Sequence, residues 1–240
     1  MAKLRNRFCV ELWDATSAIS VMKMLAEQAE YNIKRAVDEA CKPDAVLEEV
    51  YDDYGEDEHG VPYTFERTCY TCGSCIGLDR DEVKNEYIYL ITQLTRRSAF
   101  LTIYGLFEHR MDECVKLMLD LCGYTGKLEK GTLEKTHQVL KKGIGAKGVV
   151  DVDHLTILRN IMAHGDGICT EYSEIIRKTT KKSDAEKRIL KALNRAVSNY
   201  LITISDFGGV LLKDNFLSDI INEIERYIAS LNKEVESYSN

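Results

Sequence analysis

Residues 80–122, RDEVKNEYIYLITQLTRRSAFLTIYGLFEHRMDECVKLMLDLC, carry the most regular apolar period in the chain. Val83, Tyr87, Leu90, Leu94, Leu101, Tyr104, Met111, Val115, Met118 and Cys122 follow an alternating four-three step, the spacing of one face of a long helix. A second stripe, Phe100, Ile103, Phe107, Cys114, Leu117 and Leu121, covers another face, so the C-terminal half is apolar over a wide arc. A helix of this kind has to be surrounded, and it is the expected centre of a helical bundle. The same step places Arg97 and Glu108 on the apolar line, where an unpaired charge is expensive. Glu108 therefore calls for a cationic partner, and Arg159 is the one nominated.

The rest of the chain supports a helical reading. Its 240 residues, 45% apolar and 30% charged, suffice for one well-buried domain with an N-terminal extension and argue against disorder. Prolines occur at Pro43 and Pro62 alone, and no alternating strand pattern of convincing length stands out. Val10 to Lys42 reads as one long helix with Trp13, Val21, Met24 or Leu25 and Ile33 or Val37 on its apolar side, ending before Pro43. Residues 44–79 are the least helical, a loop or small insertion holding an acidic run and a cysteine cluster. After residue 122 the glycines at 123, 126 and 131 break the chain, a short helix covers 132–142, and a second glycine-rich loop leads to a helix over Leu155–His164. Asp151 or Asp153 is its candidate N-cap and Gly165 its stop. Neither glycine loop has the lysine and strand context of a phosphate-binding loop. Residues 168–182 are ambiguous, and helices over about 183–205 and 214–236 close the chain. The expected fold class is all-α: an N-terminal helix (1–43), a Cys-containing insertion (44–79), and a helical bundle of four to six helices (80–240).

The end of the 155–164 helix concentrates the chemistry. Arg159-Asn160-Ile161-Met162-Ala163-His164, followed by Gly165-Asp166-Gly167, brings a cation, an amide and an imidazole together. Asn160 and His164 are four apart and share a face, whereas Arg159 lies about 140° round the helix from His164. Either the arginine reaches round, or a second copy of the helix supplies the missing group across a symmetric interface. In a purely structural reading, the histidine caps carbonyls and the arginine is an ion-pair partner. His109, His137 and His154 have no comparable surroundings and read as ordinary surface or interface residues.

An arginine, a polar residue and a histidine in the pattern Arg159-Asn160-x-x-x-His164, behind a long apolar helix that carries Glu108, resemble the HEPN family of small all-helical ribonuclease domains. The resemblance extends over about residues 80–236 by helix order. It implies a dimer of helical bundles whose two signatures share a cleft, cutting RNA without a metal or other cofactor. RNA carries its own nucleophile, the 2′-hydroxyl, so the protein has only to move protons and stabilise charge. The implied roles are general base or acid for His164, phosphate grip for Arg159, orientation of histidine or phosphate for Asn160, and support of Arg159 for Glu108. A 2′,3′-cyclic phosphate and a free 5′-hydroxyl are the implied products. The family also implies a toxin or antiviral defence effector acting on tRNA or other cellular RNA, held in check by a neutralising antitoxin or sensor protein. A non-catalytic helical module that binds RNA or a partner protein is the alternative function.

The net charge of −7 is unusual for a nucleic-acid enzyme. Eight carboxylates and no lysine or arginine lie between Asp44 and Glu58, however, while Lys127–Lys147 and Arg177–Arg195 are basic, so a basic face is one reading and solvated helix surfaces the other. Cys69, Cys72 and Cys75 are spaced like metal ligands, with His59 the nearest fourth donor for a structural zinc; free or redox-active thiols are the competing reading. The remaining cysteines, at 9, 41, 114, 122 and 169, look like buried thiols. The longest apolar stretch, Ser98–Phe107, is too short to span a bilayer. Arg5, Arg7, Glu11 and Asp14 interrupt the N-terminal apolar residues, which does not fit a signal peptide, so a cytoplasmic protein is expected.

Overall fold

The computed structural model describes residues 9–239. Arg5 and Arg7, which enter the reading of the N-terminus, lie outside the described residues. The elements are α1 (Val10–Ala40), β1 (Leu47–Glu56), β2 (Pro62–Cys72), β3 (Cys75–Gly77) and α2 (Arg80–Cys122). They continue with α3 (Thr132–Val139), which runs into a π-helical turn over Leu140–Ile144, then α4 (Asp153–His164) and α5 (Glu171–Arg177). The order ends with α6 (Asp184–Ser198), β4 (Ile202–Ile204), β5 (Val210–Leu212) and α7 (Phe216–Ser239). The fold is mostly helical, but it is not free of sheet. Two compact units are present, one of residues 9–27 with 96–239 and the other of residues 28–95, so α1 and α2 contribute residues to both.

Unit 28–95 corrects the expected loop at 44–79. β1 and β2 pair antiparallel from Leu47↔Thr71 to Glu56↔Pro62, and β3 adds to β2. At the tip, the Asp57 carboxylate accepts from the His59 and Val61 amides at 2.9 and 2.8 Å. β1 escapes a pattern search because it reads Leu-Glu-Glu-Val-Tyr-Asp-Asp-Tyr-Gly-Glu, acidic and exposed along nearly its whole length, with no buried face to impose alternation. At the other end, Gly73-Ser74 turns the chain between the paired Cys72 and Cys75, with Gly73 at φ 56°. A Cβ on Gly73 would lie 2.3 Å from the Tyr87 ring, so only glycine fits. Cys72 and Cys75 belong to this unit's small core with Ala40, Val46 and Val83.

In the larger unit α2 is the core element, with the bounds its sequence gives. Phe100, Ile103, Tyr104, Phe107, Met111, Cys114, Val115 and Met118 are all buried. An aromatic chain runs through them: Phe216 meets Phe100 at 5.1 Å, Tyr104 lies between Phe100 and Phe107, Phe107 meets Tyr227 at 5.7 Å, and Tyr227 meets His137 at 5.5 Å. Helix α7 supplies the opposing face with Ile220, Ile221, Ile224, Tyr227, Ile228 and Leu231. The stripe expected on α1 is corrected in its first half: Trp13, Val21 and Met24 are exposed and the buried line is Leu12, Ala15, Ala18, Ile19, Met22 and Ala26, while Ile33 is buried as expected. Its alanines are short enough to let helices approach closely, which makes them core rather than spacer.

Two helix ends also differ from expectation. Helix α6 begins as its sequence suggests, with a capping box in which the Glu186 amide donates to the Ser183 hydroxyl at 3.2 Å. It stops at Ser198, not at 205, because Ile202-Thr203-Ile204 pairs with Val210-Leu211-Leu212 as a hairpin. Helix α4 has no side-chain N-cap; Asp151 instead accepts from the Asp153 amide at 3.0 Å just outside it.

His154 is not a surface residue. It is buried, with Nε2 3.1 Å from Glu223 Oε2, although neither ring nitrogen makes a well-directed hydrogen bond. Arg195 also reaches Glu223, at 2.8 Å. Burial pushes the Glu223 carboxyl up, but His154, Arg195 and Arg226 together outweigh it and leave the group below its ordinary range. His137 is likewise partly buried, and burial pushes its imidazole below the ordinary range, assisted by Lys141 and opposed by Asp151, Asp153 and Glu134. The unfolded chain therefore takes up the proton first as pH falls. The stability contribution is complete above the ordinary imidazole value of about 6.5 and is lost as pH drops through the lower folded value. His137→Gln is expected to flatten the fall in melting temperature below about pH 6.5; an undiminished fall in the variant would assign it to other groups.

Candidate active site

Glu108 and Arg159 meet as their sequence positions suggest. Arg159 Nη2 donates to Glu108 Oε1 at 3.0 Å and to Oε2 at 2.9 Å, with both side chains about one quarter exposed, 27% and 26%. The guanidinium lies 5.4 Å from the centroid of the Tyr104 ring, a cation–π contact from one turn earlier on α2. Tyr104 also shares a 2.8 Å hydrogen bond with Thr156, one turn earlier on α4. Burial pushes the Tyr104 phenol well above its ordinary range, with the Thr156 bond opposing, so this hydroxyl stays protonated at neutral pH. Arg159 Nε is buried without a partner, and Nη1 donates to none of the described residues. One face of the cation is fixed, Nε is shut away from solvent, and Nη1 is uncommitted among the described residues.

Asn160 and His164 are both exposed and make no side-chain hydrogen bond to the described residues. His164 does not cap the helix. The amides of Gly165 and Gly167 both donate to the Ile161 carbonyl, at 3.0 and 3.1 Å, and close the helix end by backbone alone. Gly165 is required for space, not for an unusual φ: a Cβ there would lie 2.4 Å from the Ile168 carbonyl oxygen. The left-handed residues are the next two, Asp166 at φ 50° and Gly167 at φ 78°. Arg97, the other charge on the apolar line, pairs with Asp166, and its guanidinium packs against Gly167. Both stripe charges thus tie α2 to the signature segment, Glu108 to its middle and Arg97 to its end.

The basic run Arg177–Arg195, one of two that offered a basic face as one reading, is largely committed to carboxylates. Arg188 pairs with Asp153 and Glu134, Lys191 with Asp151, Arg195 with Glu223, Lys178 with Glu186 and Lys187 with Asp184. The pairs of Arg188 with Asp153 and Lys191 with Asp151 fasten α6 to the start of α4, against which it packs; Glu134 joins it to α3 and Glu223 to α7. A groove at α5 and α6, lined by Glu174, Ile175, Lys178, Ser183, Glu186 and Ile189, contains none of the signature residues.

The four metal candidates are not brought together. His59 is exposed at the β1–β2 tip, and Cys72 ends β2 about 33 Å of strand away from Pro62. Cys69 and Cys72 are an odd number apart on one strand and face opposite sides, whereas Cys72 and Cys75 face each other across the turn. Among the described residues no group of three or more His, Cys, Asp or Glu side chains could hold a metal ion. Burial, followed by the neighbouring Cys75, pushes the Cys72 thiol up, which disfavours the thiolate. Of the scattered cysteines, Cys114 and Cys169 are buried, Cys9 and Cys122 are half-buried, and Cys41 is exposed.

Sequence reasoning missed Tyr104 and Thr156 as parts of the site. The signal was present: Tyr104 is four residues before Glu108 and Thr156 three before Arg159, so each shares its helix face with a residue already singled out. No helix among the described residues is long and apolar enough to cross a membrane. No protein-family model, curated protein or solved structure matches this chain.

Proposed function

We propose that this protein is a metal-independent endoribonuclease of the HEPN type, acting as a toxin or antiviral defence effector. The observation that carries the reading is the division of labour on α4. Arg159 is seated by Glu108 and Tyr104 with Nη1 to spare, while His164, five residues on, is exposed and makes no side-chain hydrogen bond to the described residues. In the proposed reaction an imidazole accepts the 2′-hydroxyl proton as that oxygen attacks phosphorus. The Arg159 guanidinium binds the phosphate oxygens and holds them more tightly as charge develops. A second imidazole gives a proton to the departing 5′-oxygen, leaving a 2′,3′-cyclic phosphate and a 5′-hydroxyl. Because Arg159 and His164 point in different directions from one helix, a homodimer supplies the second histidine and completes the cleft. Cellular RNA such as tRNA is the substrate in this reading, the cytoplasm its location, and a neutralising antitoxin or sensor protein its control.

The second reading is a helical module that binds RNA or a partner protein without cutting, and the commitment of the 177–195 cations to carboxylates favours its partner-protein form. Incubation with total RNA in excess EDTA separates the two. Cleavage by the parent, with cyclic-phosphate ends and with loss in both Arg159→Ala and His164→Ala, is expected. Binding without cleavage would select the second reading, and equal cleavage by all three proteins would move the activity elsewhere.

A further inference from the structure

The turn Ser205–Gly209 between β4 and β5 holds the Phe207 side chain in water, 91% exposed. A loose loop would make this unremarkable, but the turn is closely tied. The Gly208 amide donates to the Ser205 carbonyl, the Ser205 amide to the Gly209 carbonyl, and the Gly209 amide to the Ser205 hydroxyl, each at 2.9 Å. It is also joined to the segment leaving α4. The Cys169 amide donates to the Gly208 carbonyl at 2.9 Å, the Val210 amide donates to the Gly167 carbonyl at 2.8 Å, and Ile168 bridges Gly209. Gly208 adopts φ 78°, and a Cβ there would lie 2.5 Å from the Cys169 carbonyl oxygen. Adjacent arginines of α2 fix both parts of this cluster: Arg96 donates to the Leu212 carbonyl at 3.1 Å, and Arg97 pairs with Asp166. Phe207 is therefore presented at a set position on a turn bonded to the segment that begins immediately after His164. Ile168, four residues after His164, is a second exposed apolar side chain on the same cluster.

We infer that Phe207, flanked by Ile168, is a stacking platform for an unpaired base of the RNA whose phosphate binds at Arg159 and His164. The inference rests on the ribonuclease reading of that site and deepens it by assigning a base-binding side chain outside the signature helix. Every base offers a π face, so one rigid ring can hold RNA of any sequence. In an A-form duplex those faces are covered by neighbouring pairs, and recognition shifts to grooves and backbone, for which a protruding phenyl ring has no use. The anchored turn also means that little order has to be gained when the base arrives.

The test uses His164→Ala protein, to separate binding from cutting, and a fluorescein-labelled 12-nucleotide RNA offered single-stranded or annealed to its complement. Adding Phe207→Ala is expected to weaken single-strand binding about 5- to 150-fold, the range of one base–aromatic stack. Phe207→Trp is expected to retain it, and duplex binding to be weaker and indifferent to both changes. Equal single-strand binding by Phe207→Ala and its parent overturns the platform and leaves the ribonuclease reading standing. A shift to monomer on sedimentation with unchanged affinity per protomer also overturns it, assigning Phe207 to a contact between copies of the chain. Failure of the unsubstituted protein both to bind and to cleave RNA overturns the ribonuclease reading and the platform with it.

Discussion

His164→Ala is expected to slow RNA cleavage by about 10²- to 10⁴-fold, the usual contribution of a positioned general acid or base, with the melting temperature unchanged. The two halves of this expectation come from the same geometry. His164 is exposed and makes no hydrogen bond to the described residues, and the Gly165 and Gly167 amides close the helix end without it. Its removal takes away no contact that holds the fold, and substitutions of that kind usually stay within about 0.5 kcal/mol. Arg159→Ala should also lose activity but behaves differently in stability, because Glu108 is left without its partner. With about a quarter of each side chain in contact with water, the loss should be on the order of 1 kcal/mol rather than that of a fully buried pair. The double variant Glu108→Gln with Arg159→Ala should regain stability and no activity. Rates on a defined oligonucleotide in EDTA, set beside thermal melts, make these comparisons. Full activity in a folded His164→Ala protein would remove the residue from the mechanism.

The largest stability effect is expected at Phe107, where replacement by alanine should cost about 3–5 kcal/mol. The ring is fully buried and meets Tyr104 and Tyr227 edge-on, with centroids 6.0 and 5.7 Å away. Each such pair adds about 0.5–1.5 kcal/mol beyond the area it buries, so alanine loses ring contacts on two sides and leaves a cavity between α2 and α7. Against a typical total of about 5–15 kcal/mol, this is a large share of what keeps the unit folded. Phe107→Leu, which keeps most of the volume, should cost less. Urea unfolding followed through Trp13, the chain's one tryptophan and part of the same unit, reads the difference. A loss of less than about 1 kcal/mol for the alanine variant would mean that the core closes over the gap.

What the sequence revealed and what it hid have physical causes. Helix α2 was legible to its ends because 43 residues repeat one period, and a charge on that period announces the need for a partner. Cost alone called for a cation beside Glu108, and Arg159, already singled out by its place in the signature, is the one it meets 51 positions on. The β1–β2 ribbon was hidden because its first strand buries no face, leaving only the β-branched and aromatic content of Tyr63-Thr64-Phe65 and Thr68 as a clue. The β4–β5 hairpin had a clearer signal in Ile202-Thr203-Ile204 followed by Asp206 and paired glycines, and it was overrun by the helical period before it. His154 could not be placed from its own surroundings, since the carboxylate beside it comes from α7. The buried alanines of α1 went unnoticed for a simpler reason: a small side chain in a tight helix contact adds little to an apolar pattern.

Thr156 and Arg159 are held to Tyr104 and Glu108 by two fastenings one helical turn apart, which leaves α4 no freedom to roll on α2 at that point. The distance in sequence from Arg159 to His164 then acts as a mechanical dimension. Each residue added between them would swing the imidazole by about 100° around the axis and about 1.5 Å along it, while the guanidinium stayed in its seat. Length changes in the loop before α4 would have no such effect, because the fastenings set the helix's orientation downstream of the loop. Two neighbouring parts of the chain would thus answer oppositely to insertion, the glycine-rich approach absorbing it and the four residues between cation and imidazole behaving like the teeth of a gear.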